Sequence, residues 1–319
     1  MNTLFVSPTA GPLQNGSSAD PFATLAQAIA DVPYGQGATY TIQMAQGTYA
    51  NTGSLELDFG DNGLTIDGTL SILSAASAVT TILNISDAYN IKINGLTFQG
   101  EVAGAPNESG AVVISAGGNN TLTSDGFRND GIGLVEAGNG DVIGGPTAGD
   151  GDLFRNITNQ AIIIPYASDL LIQKVNVDGI TDEGPAIEIE SGTSITITDA
   201  DITNVAGNGI VVDQIGGYEV PNLDGLTVSD SIFSNVGTAG ASFGDFYVIG
   251  DGYATNSGTL DFIDNYVTQT ATNDRAVILS DAVGAVITGN TFDIANGATS
   301  WLSETGGSLD VTSPNTVIG

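Results

Sequence analysis

The chain contains no cysteine and no histidine. The first absence excludes disulfides, thiolate metal sites and cysteine nucleophiles. The second removes the commonest general base and the commonest zinc ligand. Basic residues are nearly missing as well. Lys92, Arg128, Arg155, Lys174 and Arg275 stand against 36 Asp and Glu, a formal net charge of −31. That balance repels phosphate, so no nucleic acid is expected as a partner, and an anionic membrane surface is disfavoured. No apolar run reaches the roughly 18 residues of a membrane-spanning helix, so no membrane insertion is expected. The start, from Met1 to Leu4, has neither the basic segment nor the apolar segment of a signal peptide. So acidic a surface suits a saline or calcium-rich extracellular setting, where cations screen it.

Glycine is abundant at 44 residues and only 13% of the chain is charged. The dominant pattern is a repeated phrase: an Asp or Asn turn, an aromatic or β-branched residue, often an Asn, a Gly-rich turn, then an alternating apolar run. It reads DLFRNITNQAIII from Asp152 to Ile164, DADITNVAGNGIVV from Asp199 to Val212 and DSIFSNVGTAGASF from Asp230 to Phe243. Equivalent positions recur every 20 to 34 residues. Periods of this size mark stacked repeats. The repeat holds strands and turns and no helix-length segment, which points to a β-solenoid of about ten rungs in one domain, residues 1–319.

Residues 1–50 differ and form a cap region ahead of the rungs at 51–319. Within SSADPFATLAQAIADV, a Ser or Asp precedes Pro21, a favoured first helical residue. Phe22, Leu25, Ile29 and Val32 then share one face until Pro33 stops the helix. This amphipathic helix is expected to bury Phe22, Leu25 and Ile29 against the first open rung. The chain's last residues, SLDVTSPNTVIG, read as an unfinished rung, so the domain is expected to be a segment of a longer protein.

The stretch FVSPTAG followed by NGSSADPFATLAQAIADV, with ATYTIQMAQGTY after it, resembles the N-terminal signature of secreted right-handed parallel β-helix proteins of the pectate-lyase-like superfamily. The later phrases resemble the generic parallel β-helix repeat. The resemblance implies an all-β, right-handed parallel β-helix with an N-terminal helical cap, at the bacterial cell surface or outside the cell. It leaves function open, because that superfamily includes lyases, hydrolases, epimerases, adhesins and spikes.

Two inward columns follow from the repeats. One is Val112, Ile132, Ile162, Ile187, Ile210, Phe243 and Val277, where Phe246 competes with Phe243 for the inward place. The other is Phe127, Phe154, Val177, Ile202, Phe233, Val267 and Phe292. Two residues beyond the second column stand Asn129, Asn156, Gly179, Asn204, Asn235 and Gln269. Asn tolerates a left-handed backbone and bonds its equivalent in the next rung, so these are expected to form a buried structural ladder.

Rungs differ in one turn, where long insertions cluster at 136–152, 213–225 and 244–258. Insertions on one side of a repeat protein often form its binding face. Tyr218, Tyr247 and Tyr253 lie in these insertions and Tyr166 occupies the same turn, so the four are candidates for stacking on sugar rings. Glu188, Glu190 and Asp213 form an acidic cluster beside them. Solvated charge is the plain reading. A Ca²⁺ site bridging to an anionic glycan is a second. A carboxylate pair for glycoside hydrolysis is a third, with the same three residues as catalytic candidates.

Uronate lyases of the superfamily use a Lys or Arg base near calcium, which would fall on Lys174 or Arg155, away from the acidic cluster. The His and paired Asp motifs of the polygalacturonase-like pattern are missing. The leading expectation is a structural or adhesive module touching carbohydrate through its loop face. The alternatives are a polysaccharide hydrolase or lyase, and a spike self-associating through an outward apolar stripe of Val113, Ile163, Val211 and Ile278.

Overall fold

The computed structural model describes residues 2–76, 78–102, 109–212, 223–239, 243–249, 260–269, 275–280, 283–294, 301–305, 308–310 and 314–318. Strands recur three to a turn and stack, each on its equivalent one turn away, so the chain is a parallel β-solenoid with three faces. The first face runs from Asn2–Val6 and Tyr40–Met44 to Val283–Thr288 and Ser308–Asp310. The second runs from Gly47–Asn51 to Thr316–Ile318, and the third from Leu55–Leu57 to Leu302–Thr305. The third face is a separate ten-stranded ladder. With one strand of this ladder in each turn, the described residues stack ten rungs along the axis.

Parallel pairing with the next turn supplies every strand interior with hydrogen-bond partners and fixes residue opposite residue along the axis. The second face shows this most clearly. Phe98, Phe127, Phe154, Val177, Ile202, Phe233, Val267 and Phe292 pair in succession, and all are fully buried. Seven of these eight are the column expected from the repeats. Phe127 and Phe154 stack with ring centroids 4.4 Å apart and planes 3° apart. The facing wall leaves room for them. A Cβ added at Gly133 would lie 2.7 Å from the Phe154 ring, and one at Gly209 would lie 3.0 Å from the Phe233 ring.

The third-face column is Leu83, Val112, Leu134, Ile162, Ile187, Ile210, Phe246 and Val277. Phe246, not Phe243, is the inward residue. Ile132 is also displaced: it pairs with Gln160 and packs outside the main core with Val113, Val135 and Ile163. Strict alternation fails there because Gly133 and Leu134 both face inward, Gly133 against the Phe154 ring and Leu134 in the core.

The expected Asn ladder is corrected. Asn129, Asn156, Asn204 and Asn235 do adopt left-handed backbone, with φ of 54°, 54°, 57° and 54°. Their side chains are exposed rather than buried. A left-handed residue inside a strand breaks the two-residue period, so two successive side chains face out before the next faces in. Leu153–Ile157 shows it: Phe154 is buried, Arg155 and Asn156 are exposed, and Ile157 is buried again. Only a surface chain of bonds remains, from Asn235 Nδ2 to Asn204 Oδ1 at 2.8 Å and from Asn204 Nδ2 to Asp178 Oδ1 at 2.7 Å. Gln269 departs differently, being buried in the Tyr266–Gln269 strand.

The buried ladder lies at the corner between the first and second faces. Asn265 N donates to Asn290 Oδ1 at 2.8 Å, and Asn290 N donates to Asn315 Oδ1 at 3.0 Å. The Nδ2 groups donate back to carbonyls one turn earlier: Asn265 to Val228, Asn290 to Phe262 and Asn315 to Ile287, at 3.0, 2.8 and 3.0 Å. Ser231 continues the column by accepting from Ala200 N and donating its own N to Asn265 Oδ1.

The cap forms as expected in kind but starts later. The helix is Leu25–Asp31, with Thr24 as its N-cap in a capping box with Gln27, rather than a start at Pro21. Pro21 instead precedes Phe22, whose backbone pairs with Phe5 and Ser7. Phe22 and Leu25 are buried in the core and Ile29 is partly buried against it. Among the described residues no helix is long and apolar enough to cross a membrane.

The two ladders separate in a urea titration. Asn290→Ala removes partners from buried groups on both neighbouring turns and is expected to cost roughly 1–3 kcal/mol. Asn204→Gly keeps a left-handed-permissive backbone at an exposed site and is expected to stay within about 0.5 kcal/mol of the parent. Equal losses would mean that the exposed Asn column carries the fold.

Candidate functional site

Outward side chains on the third face form one continuous column. In rung order it is Glu56, Asn84, Val113, Val135, Ile163, Glu188, Val211, Tyr247, Ile278 and Ser303. The pleat puts them outside because their neighbours on either side, such as Leu83 and Ile85 around Asn84, are core residues.

Glu188 and Tyr247, both expected as site residues, therefore share this column two rungs apart, about 10 Å at the usual strand spacing. Glu188 is 2% exposed and accepts from Gln160 Nε2 at 2.9 Å. Glu190 sits two residues further on and is half-buried; its backbone N–H donates to Ile164 O. Tyr166 lies at the corner between the third and first faces and is 53% exposed. Tyr218, Tyr253 and Asp213 lie outside the described residues.

The expected apolar stripe is not an exposed surface. Val113, Ile163 and Val211 are buried, and Ile278 is half-buried. Val113, Ile163, Ile132 and Val135 instead make a second small hydrophobic cluster on the outer side of the sheet. An outward position on one face is thus not the same as a solvent-facing one.

Among the described residues no group of three or more Asp or Glu is placed to hold a metal ion. Ca²⁺ takes six to eight oxygen ligands, and Glu188 already accepts a side-chain hydrogen bond. The described part of the cluster does not by itself fit a calcium ion. The basic candidates are committed elsewhere: Arg155 pairs with Asp178 at 3.2 Å on the second face, and Lys174 pairs with Asp199 at 2.7 Å at the corner before it.

Sequence reasoning missed the opposite end of the third face. There the column opens into a groove of about 600 Å³, with Glu56, Asn84 and Val113 as its floor and Thr52, Ser54, Thr80 and Ser115 among its walls. Asn84 Nδ2 donates to Glu56 Oε2 at 2.7 Å, which fixes both side chains and leaves the hydroxyl-rich walls open. The repeat is poorly written there, as the second-face strands leading into Leu55–Leu57 and Thr81–Ile85, Gly47–Asn51 and residues 71–75, lack the Asp–Phe–Asn phrase.

It also missed six buried carboxyl groups within residues 101–152: Glu101, Asp125, Asp130, Glu136, Asp141 and Asp152. Asp125 and Asp152 continue the column of Ser231 and Asn265 at the corner between the first and second faces, Asp130 and Asp141 serve other corners, and Glu136 ends the Ile132–Glu136 strand. Asp125 Oδ1 accepts from Leu96 N at 2.7 Å, and Asp152 Oδ1 accepts from Asp125 N at 2.8 Å. Asp130 Oδ1 accepts from Glu101 N, and Asp141 Oδ1 from Asn120 N.

In Asn290 the other end of the side chain donates to carbonyls. In Asp125 and Asp130 the corresponding Oδ2 is buried without a partner among the described residues. A proton on that oxygen turns it into the donor the amide would have been. Burial pushes Asp130 up to about 8 and Asp152 up to about 7. Burial, then the Asp152 charge, lifts Asp125 well above the ordinary carboxylate range. Burial and the adjoining Asp141 charge do the same for Glu136, and burial raises Glu101 and Asp141. Sealed from solvent, these groups hold the turns together and cannot meet a polymer.

With this geometry in hand, comparison with solved structures places the fold among known ones. The chain is similar to an alginate lyase from Paenibacillus, at TM-score 0.59 and 13% identity, covering 100% of this chain and 98% of that one. It is similar to the tailspike of E. coli bacteriophage HK620 in complex with a pentasaccharide, at TM-score 0.62 and 13% identity over 95% of this chain and 65% of that one. A third is a GH136 lacto-N-biosidase from Eubacterium ramulus, at TM-score 0.61 and 10% identity, with 99% and 68% covered. The fold is thus a parallel β-helix, as the N-terminal signature implied. No family model and no curated protein matches the sequence.

The buried carboxyls generate a pH prediction. Their pKa values are raised in the folded chain, so at neutral pH the native state binds more protons than the unfolded one. Stability is then fully present below the ordinary carboxylate pKa near about 4 and falls as pH rises through about 7 to 8. Melting temperature is expected to decline across that window. Asp125→Asn supplies the missing donor permanently and is expected to flatten the decline and raise stability at pH 8. A melting temperature that rises steadily from pH 5 to pH 8 in the parent would refute the assignment.

Proposed function

We propose that this chain is an extracellular β-helix module that binds polysaccharide along its third face. The observation that carries the reading is the open groove over Glu56 and Asn84, whose lining of hydroxyl, amide and carboxylate groups around a small apolar floor matches the mixed polar and apolar surface of a sugar. The fold supports it: the solved structures it resembles include an alginate lyase, a lacto-N-biosidase and a tailspike with a bound pentasaccharide. Extracellular placement is part of the proposal, supported by the acid-rich surface.

Binding is favoured over cleavage. Glycoside hydrolysis requires two carboxyl groups facing one bond. Among the described residues the groove is lined by a single carboxylate, Glu56. Glu188, in the Ile187–Ile189 strand, and Glu190, just past its end, are the candidate pair among the described residues. Glu188 is buried under Gln160, however, and poorly placed to meet a polymer. Calcium bridging at Glu188, Glu190 and Asp213 stays within the proposal as a separate arm.

Electrophoresis through gels containing single polysaccharides tests the reading. The panel is laminarin, xylan, galactomannan, alginate and polygalacturonate, each with calcium or with chelator. Retardation by at least one polymer, without release of reducing ends, is expected. Glu56→Ala combined with Asn84→Ala is expected to weaken binding about three- to tenfold, the worth of one or two lost hydrogen bonds. Retardation by none of them, or release of reducing ends from the bound polymer, would overturn binding without cleavage. Calcium that changes neither retardation nor melting temperature beyond a matched sodium salt would end the calcium arm alone.

A further inference from the structure

Exposed aromatic side chains are unevenly distributed. Among the described residues the aromatics with large exposed surface are Tyr34, Phe59, Tyr89, Tyr166 and Tyr266. Tyr266 is on the second face, where its hydroxyl contacts Asp293. The other four all lie at the N-terminal end or along the corner between the third and first faces. Tyr34 is 78% exposed, Phe59 58% and Tyr89 40%.

The chain holds these rings in place by its backbone. Gly60, next to Phe59, carries the Tyr34 ring directly over it: a Cβ there would lie 2.6 Å from the ring. Tyr89 N donates to Asn62 Oδ1 at 2.7 Å, and Tyr89 O accepts from Gly63 N at 2.9 Å, so Tyr89 is tied to the turn that holds Phe59. Asp87 and Asn90 flank it in left-handed conformation, with φ of 53° and 60°, which turns the corner.

From Tyr89 the corner continues through Gly118 and Asn139 to Ser168. Tyr166 stands at the far end, three rungs on, about 14 Å along the axis. Asn119 and Asn139 are exposed between the aromatic groups. The corner borders the proposed groove, since Ser115 lines the groove and opens the corner segment.

We propose that this corner is a second carbohydrate-binding surface, an aromatic ridge on which a neutral polysaccharide lies parallel to the solenoid axis. Tyr34, Phe59 and Tyr89 offer flat faces to the C–H side of sugar rings, Tyr166 marks the far end, and the intervening amides meet hydroxyl groups. Rings separated by amides suit a linear polymer of alternating apolar and hydroxyl surface better than a continuous protein interface. The charge selects the class. Asp58, Asp61, Asp87 and Asp169 stand along this corner and outnumber the cations beside it, Lys92 and Lys174, the second of which is paired with Asp199. With a net charge of −31 behind them, a uronate polymer is repelled and an uncharged one is not. The inference rests on the carbohydrate reading but names a separate surface and a glycan class.

The full chain is measured by calorimetry against laminarin, xylan and galactomannan, with alginate and polygalacturonate as acidic counterparts. At least one neutral polymer is expected to bind and the acidic ones not. Phe59→Ala combined with Tyr89→Ala is expected to weaken neutral-polymer binding tenfold or more at unchanged melting temperature. Tyr89→Phe alone, which keeps the ring, is expected to retain binding. Binding unaffected by the double variant but lost in Glu56→Ala with Asn84→Ala would overturn the ridge and leave the groove reading standing. Tight binding of the acidic polymers alone would overturn the neutral class and the ridge with it. Absence of binding to any of the five polymers would overturn both readings. If the double variant melts early, Tyr166→Ala, whose side chain is largely in solvent, gives the same test at the far end of the ridge.

Discussion

Fixed register between successive turns is the constraint on which this molecule depends. Each strand pairs in parallel with its own equivalent one turn away, so whatever stands at one position is stacked on its counterpart above and below. A residue choice is therefore judged along the axis as well as within its own turn. The column from Phe98 to Phe292 answers this with aromatic and β-branched side chains of similar reach, and glycine at 133 and 209 makes the space. Because contacts are confined to neighbouring turns, stability is close to a sum of local terms. One poorly matched rung weakens its two interfaces without undoing the rest.

Register also decides how polar groups are tolerated inside. A corner has backbone N–H and carbonyl groups that no strand satisfies, and burying them unpaired is costly. The chain meets this in two chemistries. Asn265, Asn290 and Asn315 use an amide, which accepts at one end and donates at the other and so repeats indefinitely. Asp125 and Asp130 use a carboxyl, which matches the amide only when protonated. The amide part of the column is thus indifferent to pH, and the carboxyl groups of the middle turns, within residues 101–152, are sensitive to it. The excess of acid in the composition therefore has two parts: surface carboxylates that repel one another, and buried ones whose neutral form burial favours.

The sequence carried the fold well and the site poorly, for one physical reason. Core positions repeat, so phrases such as DLFRNI and DADITNV announce the inward Phe154 and Ile202 column and the left-handed Asn that follows. What the phrase cannot announce is the direction of that Asn side chain. A left-handed residue adds one outward position, and alternation counted through it places Asn156 and Asn204 inside when they are outside. The same counting misplaced Ile132, where Gly133 and Leu134 both turn inward. Glu136 was legible in principle, two residues beyond the inward Leu134, but an acid is read as solvent-facing by default. The groove over Glu56 and Asn84 and the ridge of Tyr34, Phe59 and Tyr89 come from the first turns, where the repeat is weakest. A surface site has no axial partner that forces its composition to recur.

That last point bears on how such a module acquires function. The interior of each turn is committed to its neighbours, so specificity has to be written where register does not constrain it, at corners and on outward positions left uncovered. On the third face the stretch from Val113 to Ile163 is closed off by its own hydrophobic cluster, which leaves the two ends of the column for contact. At the N-terminal end, the wall of hydroxyls over Asn84 and the aromatic groups around Phe59 adjoin across one corner, so a polymer leaving the groove meets rings next. The acidic background then acts as a filter over the whole surface. It contributes no contact of its own, yet it weights the choice among glycans of equal shape toward those without charge. Shape-selective contact at the corner and charge-selective exclusion around it are independent terms in the affinity, and the second weakens with salt while the first does not.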